Sequence, residues 1–120
     1  MWWQKVFPKY GNWGGPGWSG GCYPSSPKET DWSIQPIDAM DLIFRNHDRR
    51  YQNAIKRYPE REDLQKEVFK KADEDLIRLL KSLEFDPNLW ILKPPKNLWY
   101  AKYYRICAIY VFEIRGLLCH

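Results

Sequence analysis

The sequence predicts a mostly α-helical domain with two long antiparallel helices, a Gly-rich N-terminal loop, a third C-terminal helix and little or no β structure. Three observations support this fold class. Apolar residues recur at helical spacing in three long segments, prolines separate those segments, and glycines are concentrated in one aromatic-rich stretch near the start. At 120 residues, the chain is expected to form one domain with its own core.

The N-terminal part is rich in Gly, Pro, Ser and Trp, and its densest stretch is "YGNWGGPGWSGG", residues 10 to 21. Low-complexity composition alone would favour a flexible linker. Three large rings, those of Tyr10, Trp13 and Trp18, lie close together in this stretch, however, and linkers do not usually carry them. The sequence therefore predicts an ordered loop over residues 10–21.

The first helix is predicted over residues 36–58, opened by Pro36 and Asp38 and stopped by Pro59. At about 100° per residue, one stripe roughly 120° wide collects its apolar side chains. The stripe contains Met40, Ile43, Phe44, His47, Tyr51, Ala54, Ile55 and Tyr58. His47 lies near the centre of the stripe and Asp48 at its edge. A lone histidine in such a position is more often a core residue satisfied by one carbonyl than a functional group.

The second helix is predicted over residues 61–84, and its inward stripe also contains a carboxylate. The apolar members of the stripe are Val68, Phe69, Ala72, Leu76, Leu79, Leu80 and Leu83. Asp73 falls inside the stripe, whereas Asp75 falls at its margin, and helical phase is the only internal way to choose between them. Each long helix therefore carries one polar group on the side expected to face the core.

A loop is predicted over residues 85–98 because it contains Pro87, Pro94 and Pro95. The third helix is predicted over residues 98–118. Its apolar and aromatic composition is interpreted as a core helix rather than a membrane element, because no run of 18 uncharged apolar residues occurs.

Charge and cysteine content exclude several classes of protein. The net charge of +4 is mild and the basic residues are interspersed with acidic ones, so no nucleic-acid partner is expected. We also expect no secretory signal peptide and no transmembrane span. Cys22, Cys107 and Cys119 are odd in number, and helical rise would separate the last two by about 18 Å, so no disulfide framework is expected.

The two inward polar groups and the loop predict one site. An imidazole held by a buried carboxylate is a general base fixed in one tautomer, which suits His47 and Asp73. Asp48 beside a loop that can turn carbonyl oxygens inward suits Ca²⁺, which takes oxygen ligands from carboxylates, carbonyls and water. Either feature alone would be weak, and their combination is moderately specific.

These motifs resemble those of the phospholipase A2 family. "YGNWGGPGWSG" is similar to the calcium loop of that family, and "PIDAMDLIFRNHDRRY" is similar to its catalytic helix, with the pattern P-x-D-x-x-D, five residues, then H-D-x-x-Y. The matching positions are Pro36, Asp38, Asp41, His47, Asp48 and Tyr51. "ADEDLIRLL" resembles the helix that provides the aspartate partner of the histidine, with Asp73 at the matching position.

The resemblance implies a Ca²⁺ site. The main-chain oxygens of Trp13, Gly15 and Gly17 and the carboxylate of Asp48 would hold the ion. The Gly15 N–H, together with the ion, would stabilise the oxyanion.

The resemblance also implies a catalytic assembly in which His47 takes a proton from a water that attacks the sn-2 ester of a phospholipid. Asp73 would orient His47, and Tyr51 would hydrogen-bond Asp73, although plain core packing of Tyr51 is equally compatible with its position. The partner would be a phospholipid membrane surface. Trp2, Trp3 and Trp18 are either interfacial anchors or packing groups over the loop.

The chain departs from secreted family members, which place cysteines where it has Asn12, Gly14, Ile43, Phe44 and Arg50. In this respect, and in its short helix connection, it is more similar to the disulfide-free phospholipase domain of parvovirus minor capsid proteins. A non-catalytic membrane-binding module on the same fold is the alternative. Virion, secreted effector and toxin domain remain open as its context, and the oligomeric state is not predicted.

Overall fold

The computed structural model of the chain describes residues 8–16, 18–21 and 30–119. This part is mostly helical, with helices α1 (Ala39–Arg57), α2 (Glu62–Ser82) and α3 (Leu98–Cys119). A short 3₁₀ turn, Pro87–Leu89, lies in the connection between α2 and α3, which the sequence predicted as a plain loop. Some residues singled out in the sequence lie outside the described part: Trp2, Trp3, Gly17, Cys22 and the side chain of Cys119.

Helix α1 begins three residues later than predicted because Asp38 serves as its N-cap. The carboxylate of Asp38 accepts a hydrogen bond from the Asp41 N–H at 2.9 Å. The helix ends at Arg57, one residue before the predicted limit, where the N–H of Tyr58 still bonds to the carbonyl of Ala54. Glu60, with φ of 58°, turns the chain into α2.

Helices α1 and α2 pack as an antiparallel pair. His47 contacts Asp73, and Tyr51, one turn later in α1, stacks on Phe69, one turn earlier in α2. The two helices therefore run in opposite directions. Ile55, predicted to face the core, is 47% exposed, whereas Ala54 is buried and Tyr58 is half-buried. That prediction was wrong because Ile55 lies at the edge of the stripe, about 60° around the helix from Tyr58.

The core lies where α3 crosses the other two helices. Met40, Leu76, Leu80 and Ala101 are almost completely buried there. Tyr104 packs on Phe44 and on Tyr10, so the N-terminal loop joins the same core. Helix α3 thus contributes one face to the core, as predicted, but its opposite face is apolar and exposed.

Candidate active site

A histidine, a tyrosine and an aspartate meet between α1 and α2. The Nε2 atom of His47 lies 2.7 Å from Oδ1 of Asp73, and the Tyr51 hydroxyl donates to the same oxygen at 2.6 Å. The Asp73 side chain is only 2% exposed and that of His47 is 10% exposed. Tyr51 combines this hydrogen bond with ring packing on Phe69. One buried carboxylate therefore fixes both an imidazole and a phenol.

The neighbouring Asp75 lies on the outer side of α2. Its carboxylate pairs with Arg50 at 2.7 Å, Lys71 at 3.0 Å and Arg78 at 3.6 Å. Of the two candidate aspartates, the structure brings Asp73 to His47, which agrees with the helical phase predicted from the sequence.

The contact with Asp73 determines which His47 nitrogen is available for chemistry. In the neutral ring, Nε2 carries the proton that faces Asp73, so Nδ1 holds the lone pair. Nδ1 lies 4.0 Å from Oδ1 of Asp48. Burial lowers the pKa of the His47 imidazole, but the Asp48 and Asp73 carboxylates outweigh that effect and leave its pKa above the ordinary value. The ring is a stronger base than its burial alone would give.

Asp48 is a largely buried carboxylate with little positive charge around it. Its Oδ2 accepts a hydrogen bond from the Ser19 hydroxyl at 2.9 Å. Burial raises the pKa of Asp48, and His47 and Ser19 offset that effect only in part. Within the described part of the chain, no lysine or arginine pairs with Asp48. A bound cation would therefore stabilise the ionised carboxylate.

The loop is fastened to the start of α1 by two buried aspartates. The Asp41 carboxylate accepts the N–H groups of Asn12 at 3.1 Å and Trp13 at 2.9 Å, and also that of Ile37 at 2.9 Å. The Asp38 carboxylate accepts the hydroxyl of Tyr10. Sequence reasoning matched these aspartates to the family pattern but assigned Asp41 no role in holding the loop.

Glycine is required where the loop passes Asp41. Gly11 has φ of +55°, and a Cβ built on it would lie 2.6 Å from the carboxylate carbon of Asp41. Gly15 has φ of +131°, also in the region that favours glycine. Trp18 closes over this turn: its indole N–H donates to the Gly11 carbonyl at 2.8 Å, and Lys9 lies over its ring. Trp18 therefore packs over the loop, and its role as an interfacial anchor stays a prediction.

The loop that contacts Asp48 through Ser19 also carries main-chain oxygens of the kind that bind a hard cation. Among the described residues, no group of three His, Cys, Asp or Glu side chains could hold a metal ion. No hydrogen bond within the described residues uses the Trp13 carbonyl, and that of Gly15 accepts only from Trp18 at 3.2 Å. A single carboxylate with carbonyl oxygens suits Ca²⁺ better than softer metals.

Helix α3 forms a wall of the site that the sequence did not predict. The Phe112 ring stands edge-on to His47, with centroids 5.1 Å apart. Arg115, one turn further on, places Nε 3.7 Å from Oδ2 of Asp73 and its guanidinium over the Tyr51 ring. No motif marks these residues, because their position depends on how α3 crosses α1 and α2.

No family model matches the chain, and no curated protein or solved structure is significantly similar to it. Functional assignment therefore depends on the motifs and on the geometry of the site.

Proposed function

We propose that the chain is a Ca²⁺-dependent phospholipase A2, which hydrolyses the sn-2 ester of membrane glycerophospholipids to a fatty acid and a lysophospholipid. One observation carries this proposal: His47 is held through Nε2 by the buried Asp73, with its Nδ1 turned toward the Asp48 side. This is the arrangement of a general base with a fixed tautomer beside a carboxylate suited to a cation.

In the proposed reaction, water is the nucleophile, so no serine or cysteine is needed. Nδ1 of His47 takes a proton from the water as it attacks the ester carbonyl. Asp73 stabilises the resulting imidazolium, and Tyr51 keeps the carboxylate in position. Burial and the proximity of Asp73 raise the pKa of Tyr51, so its hydroxyl remains a donor at neutral pH. His47 then returns the proton to the leaving alkoxide.

The metal would be held by the Asp48 carboxylate and by the carbonyls of Trp13, Gly15 and Gly17. When bound, Ca²⁺ would polarise the ester carbonyl and stabilise the negative charge that develops on its oxygen. The Gly15 N–H makes no hydrogen bond within the described residues, and we assign it as a donor to the same oxygen.

The proposed substrate surface is a phospholipid membrane, and no nucleic acid is expected to bind. Among the described residues, no helix is long and apolar enough to cross a bilayer.

The proposal is tested by measuring fatty acid released from sn-2-labelled phosphatidylcholine vesicles, with Ca²⁺ and with EGTA. We expect hydrolysis only with Ca²⁺. His47→Gln should reduce it to background, while the melting temperature should still rise with Ca²⁺ because His47 is not a ligand. Hydrolysis retained within about tenfold in His47→Gln, or equal rates in EGTA, would contradict the proposal. Vesicle binding without any hydrolysis would indicate the non-catalytic membrane module instead.

A further inference from the structure

Helix α3 carries an apolar stripe on the side that faces away from the core. Six residues, here called the outer stripe, are Trp99, Tyr103, Ile106, Tyr110, Ile114 and Leu117. Their exposures run from 48% to 88%, although all six are large and apolar or aromatic. At about 100° per residue, they fall within roughly 80° of one another along five turns. Contiguous exposure on this scale marks an interaction surface.

The outer stripe lies on the opposite face of α3 from the candidate active site, except at its end, where Leu117 lines a pocket together with Asp73 and Phe112. Ala101, Tyr104 and Ala108 form the buried face of α3. Phe112, which contacts His47, follows Tyr110 by two residues and therefore points about 200° away around the helix. A partner seated on the outer stripe would not contact the Phe112 face that meets His47, and this inference does not depend on the proposed function.

We infer that a second copy of the chain covers the outer stripe, with its α3 antiparallel to the first. A two-fold interface must be self-complementary, since the same patch faces itself. The stripe meets this condition to within one residue about the level of Ala108, from which Tyr103 and Ile114 lie five and six residues away. Trp99 and Leu117 each lie nine residues from it, and Ile106 and Tyr110 each lie two. In the antiparallel pair, Trp99 meets Leu117 of the second copy, and Ile106 meets Tyr110.

Charge at the edge of the stripe fits the same arrangement. Lys102 and Glu113 lie on one flank of the outer stripe, six residues before Ala108 and five after it. In antiparallel helices, residues on the same flank face each other, so Lys102 of each copy lies opposite Glu113 of the other. Within its own chain, Lys102 lies over the Phe85 ring and Glu113 pairs with Lys81, and both contacts remain at the rim.

The surface is large enough for a specific dimer. Exposed aromatic rings contribute on the order of 100–200 Å² each when covered. Three such rings and three aliphatic side chains together give several hundred Å² per copy, close to the roughly 800 Å² per partner of a standard interface. A knobs-into-holes seam with steps of three and four residues along α3 is the packing expected of such a pair.

The test is sedimentation velocity of the full chain over about 1–100 μM. We expect a monomer–dimer equilibrium, and Ile106→Glu should weaken dimerisation at least about tenfold because it introduces charge near the two-fold axis. Ile91→Glu is the matched control, since Ile91 is also an exposed isoleucine, 73% against 51% for Ile106, and lies outside the stripe. Its dimer should form as in wild type. Circular dichroism confirms that both variants remain helical, and Leu117→Glu replaces Ile106→Glu if that variant does not fold.

Mixing variants tests the register. Ile106→Glu with Tyr110→Lys should restore a heterodimer, because the antiparallel pair places these positions opposite each other. Restoration by Ile106→Glu with Ile106→Lys instead would indicate parallel helices and overturn the arrangement. A wild-type chain that remains monomeric throughout would overturn the inference. Equal loss of dimer in Ile91→Glu would also overturn it. So would a monomeric wild-type chain that binds vesicles and loses this binding in Ile106→Glu, since a lipid surface would then occupy the outer stripe.

Discussion

Replacing Asp73 by asparagine tests the centre of the candidate active site with almost no change in shape. The amide keeps an oxygen near Nε2 of His47 but removes the charge that stabilises an imidazolium 2.7 Å away. At an effective dielectric constant of about 20, two unit charges about 4 Å apart interact by about 4 kcal/mol. Since about 1.4 kcal/mol corresponds to tenfold in rate, kcat should fall by roughly a thousandfold.

The assay is initial-rate release of fatty acid from labelled vesicles at saturating Ca²⁺, with kcat and KM separated by varying lipid. We expect the loss in kcat, with KM changed little, because Asp73 does not touch the substrate. Asp75→Asn is the matched control: its ion pairs with Arg50 and Lys71 lie at the surface, so kcat should remain within a few-fold of wild type. A loss below tenfold in Asp73→Asn, or an equal loss in both variants, would refute the assigned role of Asp73.

Three further predictions concern the loop and its anchors. Ca²⁺ at a hundredfold excess over its Kd should stabilise the fold by about 2.7 kcal/mol and raise the melting temperature. Asp48→Asn should abolish both that rise and hydrolysis. Mg²⁺ should substitute poorly for Ca²⁺. Gly11→Ala should lower the free energy of unfolding in urea by about 1–3 kcal/mol, because Gly11 has a positive φ and the Asp41 carboxylate would lie 2.6 Å from the new Cβ. Gly116→Ala is the control: nothing lies within 4 Å of its new Cβ beyond its own helix, so the change should be neutral or stabilising. Burial raises the pKa of Asp41, so its titration favours the folded state most below about pH 4 and this gain is lost as pH rises through the folded pKa. The stability of Asp41→Asn relative to wild type should therefore increase between pH 4 and pH 7, and no change in that difference would contradict the prediction.

The sequence was sufficient for the helices and for the contact between them. Periodicity and the flanking prolines gave α1, α2 and α3 to within three residues at each end. Helical phase favoured Asp73 over Asp75 without deciding between them, and the structure brings Asp73 to His47.

Features that depend on long-range packing were not predictable in this way. The N–H groups of Asn12 and Trp13 donate to the Asp41 carboxylate, which lies 29 and 28 positions later in the chain. No local sequence pattern specifies such pairs. The approach of Phe112 and Arg115 to the site depends on the crossing of α3 over α1 and α2, which side-chain spacing along α3 does not determine. The exposure of Ile55 has a related origin, since periodicity places it at the edge of the stripe without showing which edge the neighbouring helices cover.

The anchoring of the loop by Asp38 and Asp41 also has a consequence for biosynthesis. A ribosome makes residues 10–21 before it makes the two aspartates that hold them, so the emerging loop has no fixed partner at first. Its hydrogen bonds to Asp41 can form only once the first turn of α1 has left the exit tunnel. The anchored form of the loop and the start of α1 must therefore become ordered together, after translation has passed residue 41.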